Sequence, residues 1–304
     1  MMRFLVLAAV ALLMVLGSAC TRAEPTTAPT PTPTPTPTLA PIPTPTLAPI
    51  PTPTPTVPLP PEPSVLLEVV SVATWGTEGG GEGQFDEPQR IAVDREGNVY
   101  VVEWGNNRVQ VFTAQGQFLR QWGGEGEGGF DDPEGIAVDR EGNVYVVDWG
   151  HERVQVFTAQ GQFLRQWGHY GEGEGEFTSP EGIAVDREGN VYVADWGNDR
   201  VQVFTAQGQF LRQWGTSGEG EGQFDEPQGI AVDREGNVYV TGGNDRVQVF
   251  TAQGQFLGQW GHHGKGEGEF DLPVGIAVDS EGNVYVVDRS NDRVQVFSVK
   301  FEQG

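Results

Sequence analysis

Three short stretches set an acid beside a tryptophan and a glycine: Glu103 with Trp104, Asp148 with Trp149, and Asp195 with Trp196. An indole next to a carboxylate suits a peptide, a cationic group or the face of a sugar, since the ring offers apolar area and the acid offers charge. Two further copies of the stretch have lost the tryptophan. One reads VVDRSNDRVQVF at 286–297, and the other, VTGGNDRVQVF at 240–250, is a residue shorter and has lost the acid as well. Residues that two copies do without are not needed to build the fold. Trp104, Trp149, Trp196, Glu103, Asp148 and Asp195 are therefore the candidate ligand-binding residues.

Groups for catalysis are sparse. The chain has only four histidines, His151, His169, His262 and His263, and their placement does not suggest the three ligands in good geometry that a catalytic zinc needs. Carboxylates abound, but they lie on glycine-rich loops that fix neither their separation nor their pKa. The expectation is no catalytic residue, no metal and no cofactor. The single cysteine, Cys20, excludes an internal disulfide. It follows Leu16, Gly17, Ser18 and Ala19 at the end of a 13-residue apolar run from Phe4 to Leu16, the pattern of an export signal read by a lipid-specific peptidase. Cys20 is the expected lipidation site, and 1–19 the signal.

The elements that must hold these residues repeat. Pro88, Pro133, Pro180, Pro227 and Pro273 each precede a copy of I-A-V-D, at spacings of 45, 47, 47 and 46 residues. Each unit contains four short apolar segments of the types IAVD, NVYVVD, RVQVF and QFLRQWG, separated by D-R-E-G-N, W-G-N-D and T-A-Q-G-Q. Those are strands and turns. Four-stranded units with a period in the mid-forties predict propeller blades, each stabilised by stacking on its neighbours. The fifth unit ends before an outer strand, while LLEVVSVATWG at 66–76 is an orphan copy of one. The expected architecture is all-β: a monomeric five-bladed β-propeller of four-stranded blades closed by that N-terminal strand, which hides two sheet edges.

The pattern F-x-x-P-x-G-I-A-V-D-x-x-G-N-V-Y-V-x-D-x-x-N-x-R-V-Q-V-F, five times over 84–297, resembles the NHL repeat. The resemblance implies a propeller that serves mostly as a binding platform for proteins or RNA. It also implies a minority of enzymatic relatives, such as peptide-amidating lyases that hold zinc through histidines. NHL propellers usually have six blades, and this sequence carries text for five.

Recurrence sorts scaffold from site. Asp94, Asp139, Asp186, Asp233 and Asp279 open a tight turn in every unit, where the carboxylate is expected to bond the backbone ahead of it. Arg108, Arg153, Arg200, Arg246 and Arg293 also recur, which suggests a blade-to-blade bond to a carboxylate or carbonyl. Trp75, Trp122, Trp167, Trp214 and Trp260 occur once per blade and are expected to pack. Alternating strand direction puts the long Gly/Glu loops and the W-G loops on one rim, which varies. The D-R-E-G-N and T-A-Q-G turns fall on the other, which barely does.

Residues 20–63 are mostly Pro and Thr and cannot bury a core; alternating proline gives a semi-rigid polyproline II spacer, here a disordered stalk ahead of a propeller over 64–304. A net charge of −24 argues against nucleic acid, whose phosphates require a basic face. The expected function is an extracytoplasmic binding or scaffolding module, held at the cell surface by a lipid anchor and by no other membrane contact. Its expected partner is a protein, peptide or glycan, and it is not expected to be an enzyme. The alternatives are secretion without an anchor and, for the activity, a metal-dependent lyase or hydrolase.

Overall fold

Valine, isoleucine, tyrosine and phenylalanine fill the apolar segments, and these residues favour a pleated, packed surface. In the computed structural model, which describes residues 74–124 and 128–301, each repeat folds into an antiparallel sheet of consecutive strands. In the first blade the strands are Pro88–Val93, Val99–Glu103, Arg108–Phe112 and Phe118–Gly123. Blades two, three and four repeat this plan over 133–167, 180–214 and 227–260. The fifth has three strands among the described residues: Pro273–Val278, Asn283–Asp288 and Arg293–Ser298. The second and third strands of blades one to four are buried on both faces, with one half-buried end at Arg153, because a blade packs on either side.

The turn expected at each D-R-E-G-N forms as the residue types dictate. Asp94 Oδ1 accepts from the backbone N–H of Glu96 and Asn98 at 2.9 and 2.8 Å, while Oδ2 accepts from Asn98 Nδ2 and the Tyr100 hydroxyl. Asp139, Asp186, Asp233 and Asp279 do the same. With both oxygens used, this aspartate is scaffold.

A latch joins successive blades. Trp122, on the outer strand of blade one, lies 5.7 Å from Phe157 of blade two and covers Gly161 in the next T-A-Q-G turn. There φ is +80° and a Cβ would come within 2.6 Å of the indole. Only glycine fits. Beside it, Arg120 Nε donates to the Ala159 carbonyl at 2.7 Å, a bond repeated by Arg165 to Ala206 and Arg212 to Ala252. The invariance of T-A-Q-G thus reflects a socket. Blade four faces a blade without that turn, and there the arginine is replaced by Gly258.

Trp75 stands to blade one as Trp122 stands to blade two: it packs on Phe112, and a Cβ on Gly116 would meet it at 2.5 Å. The rest of the expected closing strand, up to residue 73, lies outside the described residues, as do the signal, Cys20 and the stalk. Among the described residues the surfaces flanking this seam are bare. Ile91 is 63% exposed where Ile136 is 6%, and Tyr285 is 38% exposed where Tyr145 is 0%. No helix among the described residues is long and apolar enough to cross a membrane.

Candidate functional site

The W-G loops turn sharply because the chain must reverse between two buried strands. In three blades the turn is a short 3-10 segment, Trp149–His151, Trp196–Asn198 and Arg289–Asn291, ending on a residue in the left-handed region. Its first residue leaves the sheet on the variable rim. The Trp104 and Trp149 rings lie 6.5 Å apart, tilted by 51°. Trp196 is half-buried, with a buried Nε1 that has no partner. The structure thus brings two of the three expected tryptophans into contact and leaves the third one blade along.

The acids beside them do not share the site. Glu103, Asp148 and Asp195 are fully buried. Asp195 accepts from the Thr178 backbone N–H at 2.8 Å, Asn198 Nδ2 at 3.0 Å, Arg200 Nε at 2.7 Å and Gln202 Nε2 at 3.2 Å. Glu103 and Asp148 are held by Arg108 and Arg153 in the same way. No acceptor is left for a ligand. These carboxylates neutralise the recurrent arginine, which corrects their assignment as binding residues. The arginine bond also proves to lie within a blade and its own leading loop, not between blades: Arg200 reaches the carbonyls of Glu172, Gly173 and Glu176. In blade four, Gly242 replaces the acid. Arg246 keeps the carbonyls of Glu219, Gly220 and Gln223, while its buried Nε has no partner.

A second set of charged groups lies on the axis. The first strands approach so closely that a Cβ on Gly182 would collide with the Gln228 carbonyl of the next blade, which accounts for P-x-G. Blade one breaks the rule with Arg90. Its guanidinium crosses the axis to Glu181 Oε2 of blade three at 3.3 Å and to the Val274 carbonyl of blade five at 3.4 Å. Burial pushes the Glu181 carboxyl up to about 7 against the pull of Arg90, and Glu134 is raised for the same reason. Arg289, which occupies the tryptophan position in blade five, is near enough to draw Glu134 back down. The W-G loops and the P-x-G positions therefore converge on one axial mouth. Below it Ile91, Ile136, Ile183, Ile230 and Ile276 line an apolar cavity of about 300 Å³. The sequence signal for this cluster was Arg90, the one residue to replace glycine in the five P-x-G copies.

The raised carboxyl gives a pH signature. Unfolded, Glu181 releases its proton near 4.5; folded, near 7. The folded state holds the proton longer, so this group lowers stability progressively as pH rises through that interval. Glu181→Gln should remove the penalty, stabilising the protein by on the order of 2 kcal/mol above pH 7 and leaving it unchanged near pH 4. Urea midpoints of parent and variant across that range measure the difference, and parallel curves would rule out the shift.

The histidines are not all isolated. His263 Nδ1 lies 2.9 Å from Asp245 Oδ2, and Asp271 completes a group whose ligand atoms fall within 4.8 Å of one another. These three residues could together hold a metal ion.

Comparisons with known proteins agree with the repeat and the fold. The model of the NHL repeat matches residues 85–112, 130–157, 177–204 and 270–297. A β-propeller repeat model matches 209–242, in the region of the shortened fourth blade. Protein lin-41 of Caenorhabditis elegans is 44% identical over 48 residues, 16% of this chain and 4% of that protein. E3 ubiquitin-protein ligase TRIM71 of Rattus norvegicus is 45% identical over 47 residues, 16% of this chain and 6% of that one. The chain thus matches only a small part of these relatives. Among solved structures, one of a nidogen/laminin complex aligns with a TM-score of 0.53 at 18% identity, covering 69% of this chain and 75% of the other. A catalytically inactive virginiamycin B lyase from Staphylococcus aureus with quinupristin also aligns at 0.53, with 14% identity, covering 74% and 73%. At such identities the likeness is one of fold alone. With its repeats matched by these models and its blades succeeding one another about an axis, the chain belongs to the NHL-repeat β-propeller family.

Proposed function

We propose that the propeller is an extracytoplasmic binding or scaffolding module that takes a protein, peptide or glycan at the axial mouth of its variable rim. The observation that supports this reading is convergence. Three indoles that the fold repeats do not require stand on the same rim as an asymmetric charge cluster, Arg90 with Glu134 and Glu181. Aromatic rings beside paired charges over an apolar cavity are the usual composition of a binding pocket. The tether is the lipidated Cys20 and the Pro/Thr stalk.

Trp104→Ala, Trp149→Ala and Trp196→Ala combined should weaken capture of an envelope partner at least about 30-fold, the effect of losing one anchoring aromatic of roughly 2 kcal/mol. The half-buried rings also carry some packing, so a drop of a few degrees in Tm is expected. Retention of partner by the triple variant would remove the rim from consideration. The second reading, a lyase or hydrolase, is favoured by one feature: a carboxyl held near neutrality at the axis suits proton transfer. Under that reading Glu181→Gln abolishes turnover but retains binding.

A further inference from the structure

The three junctions from blade two to blade five carry the same three positions: the left-handed residue ending the short loop, a residue in the following long loop, and the residue after the phenylalanine of the next blade. Between blades two and three these are Glu152, Tyr170 and Thr178; between three and four, Asp199, Ser217 and Asp225. Between four and five they are Asp245, His263 and Asp271, and only there, among the described residues, do they form a group of potential metal ligands. The backbone frame is common to all. Glu152, Asp199 and Asp245 each accept the N–H of the residue before the next proline, at 2.6, 2.8 and 2.8 Å. That bond uses Oδ1 of Asp245 and leaves Oδ2 facing the His263 imidazole at 2.9 Å.

The third position has its own cause. In blades one and two the corresponding carboxylates, Asp86 and Asp131, occupy the space beside a loop glycine. A Cβ on Gly105 or Gly150 would come within 2.5 or 2.6 Å of them. Blade five has Ser290 at that place, bonded through its N–H to the Asp271 carbonyl. With a real Cβ there, the Asp271 carboxylate cannot lie where Asp86 and Asp131 lie, and it stands with Asp245 and His263. Two departures from the repeat, His263 and Ser290, thus act on one point.

We propose that this junction is a binding site for a divalent transition-metal ion, with Asp245, His263 and Asp271 as its ligands. One imidazole and two carboxylates suit zinc, cobalt or nickel, with metal–ligand distances of about 2.0–2.2 Å. Calcium, which takes six to eight oxygens, is poorly served. Three protein ligands leave coordination positions for water, and the bound ion fastens the long loop of blade four onto blade five. His263 is exposed, so a small rotation of its ring closes the set without disturbing the core.

The test is titration of the full chain, stripped with chelator, with zinc chloride by calorimetry and with cobalt by visible absorption. One zinc per chain is expected, together with cobalt d–d bands that zinc displaces. His263→Ala should weaken zinc at least ten-fold. His262→Ala should not, since that imidazole faces only Glu269, at 3.4 Å. Ser290→Gly, which touches no ligand atom, should weaken zinc several-fold by letting Asp271 turn away. Absence of stoichiometric zinc at tens of micromolar, or equal binding by the His262 and His263 variants, would overturn the site. Unchanged affinity in Ser290→Gly would overturn the role given to Ser290.

Discussion

Asp195→Ala should destabilise the propeller by about 3–5 kcal/mol, the cost of breaking a buried ion pair from one side. The variant leaves the guanidinium of Arg200, 6% exposed, without its counter-charge and removes acceptors from Thr178, Asn198 and Gln202. Each buried donor left unpaired adds to the loss. Removing Arg200 as well is not expected to restore stability, because the carbonyls of Glu172, Gly173 and Glu176 then lose their donor. Blade four shows how the acid can be lost over a longer course: its loop is shorter by a residue, and Arg246 is left with carbonyls alone. A single substitution cannot put the acid back, since a Cβ on Gly242 would meet the Asp225 carbonyl at 2.8 Å. Chemical denaturation of Asp195→Ala measures the effect. A loss below about 1 kcal/mol would mean that water reaches the pair.

Deleting residues 64–76 should cost still more. The deletion takes Trp75 from Phe112 and Gly116 and strips one side of blade one. If the closing strand is the missing fourth strand of blade five, it also bares the edge of Arg293–Ser298, a template for pairing between molecules. The expected outcome is a fall in Tm of more than 10 °C, with aggregation that increases with concentration. Trp75→Ala alone should cost about 2–3 kcal/mol. A truncated protein that melts with its parent would show that the strand does not close the ring.

Much of this was legible in the residues. Five copies of one period specified blades, strands and turns, because a tight turn needs its Asp and Gly whatever surrounds it. The per-blade tryptophans read correctly as packing for the same reason. The acids of the W-G loops did not. An acid at the end of a strand looks the same whether it meets solvent or an arginine five residues on, and only the closed loop decides. Arg90, Glu134 and Glu181 come from three blades and meet only because the blades circle an axis. Asp245, His263 and Asp271 likewise gather from separate segments. Local pattern reports local contacts.

The latch of tryptophan on glycine and arginine on alanine carbonyl bears on how such a gene changes. Both halves of the latch are written in each of the first three units, so any of these can follow any other without a new interface. Unequal recombination that adds or drops one period in phase leaves each junction chemically intact. Only the unit ahead of the last is free to differ, as the fourth does at Gly258, where no socket follows. Blade number is then a quantity evolution can alter in single steps, while the short loops of the variable rim diverge one unit at a time.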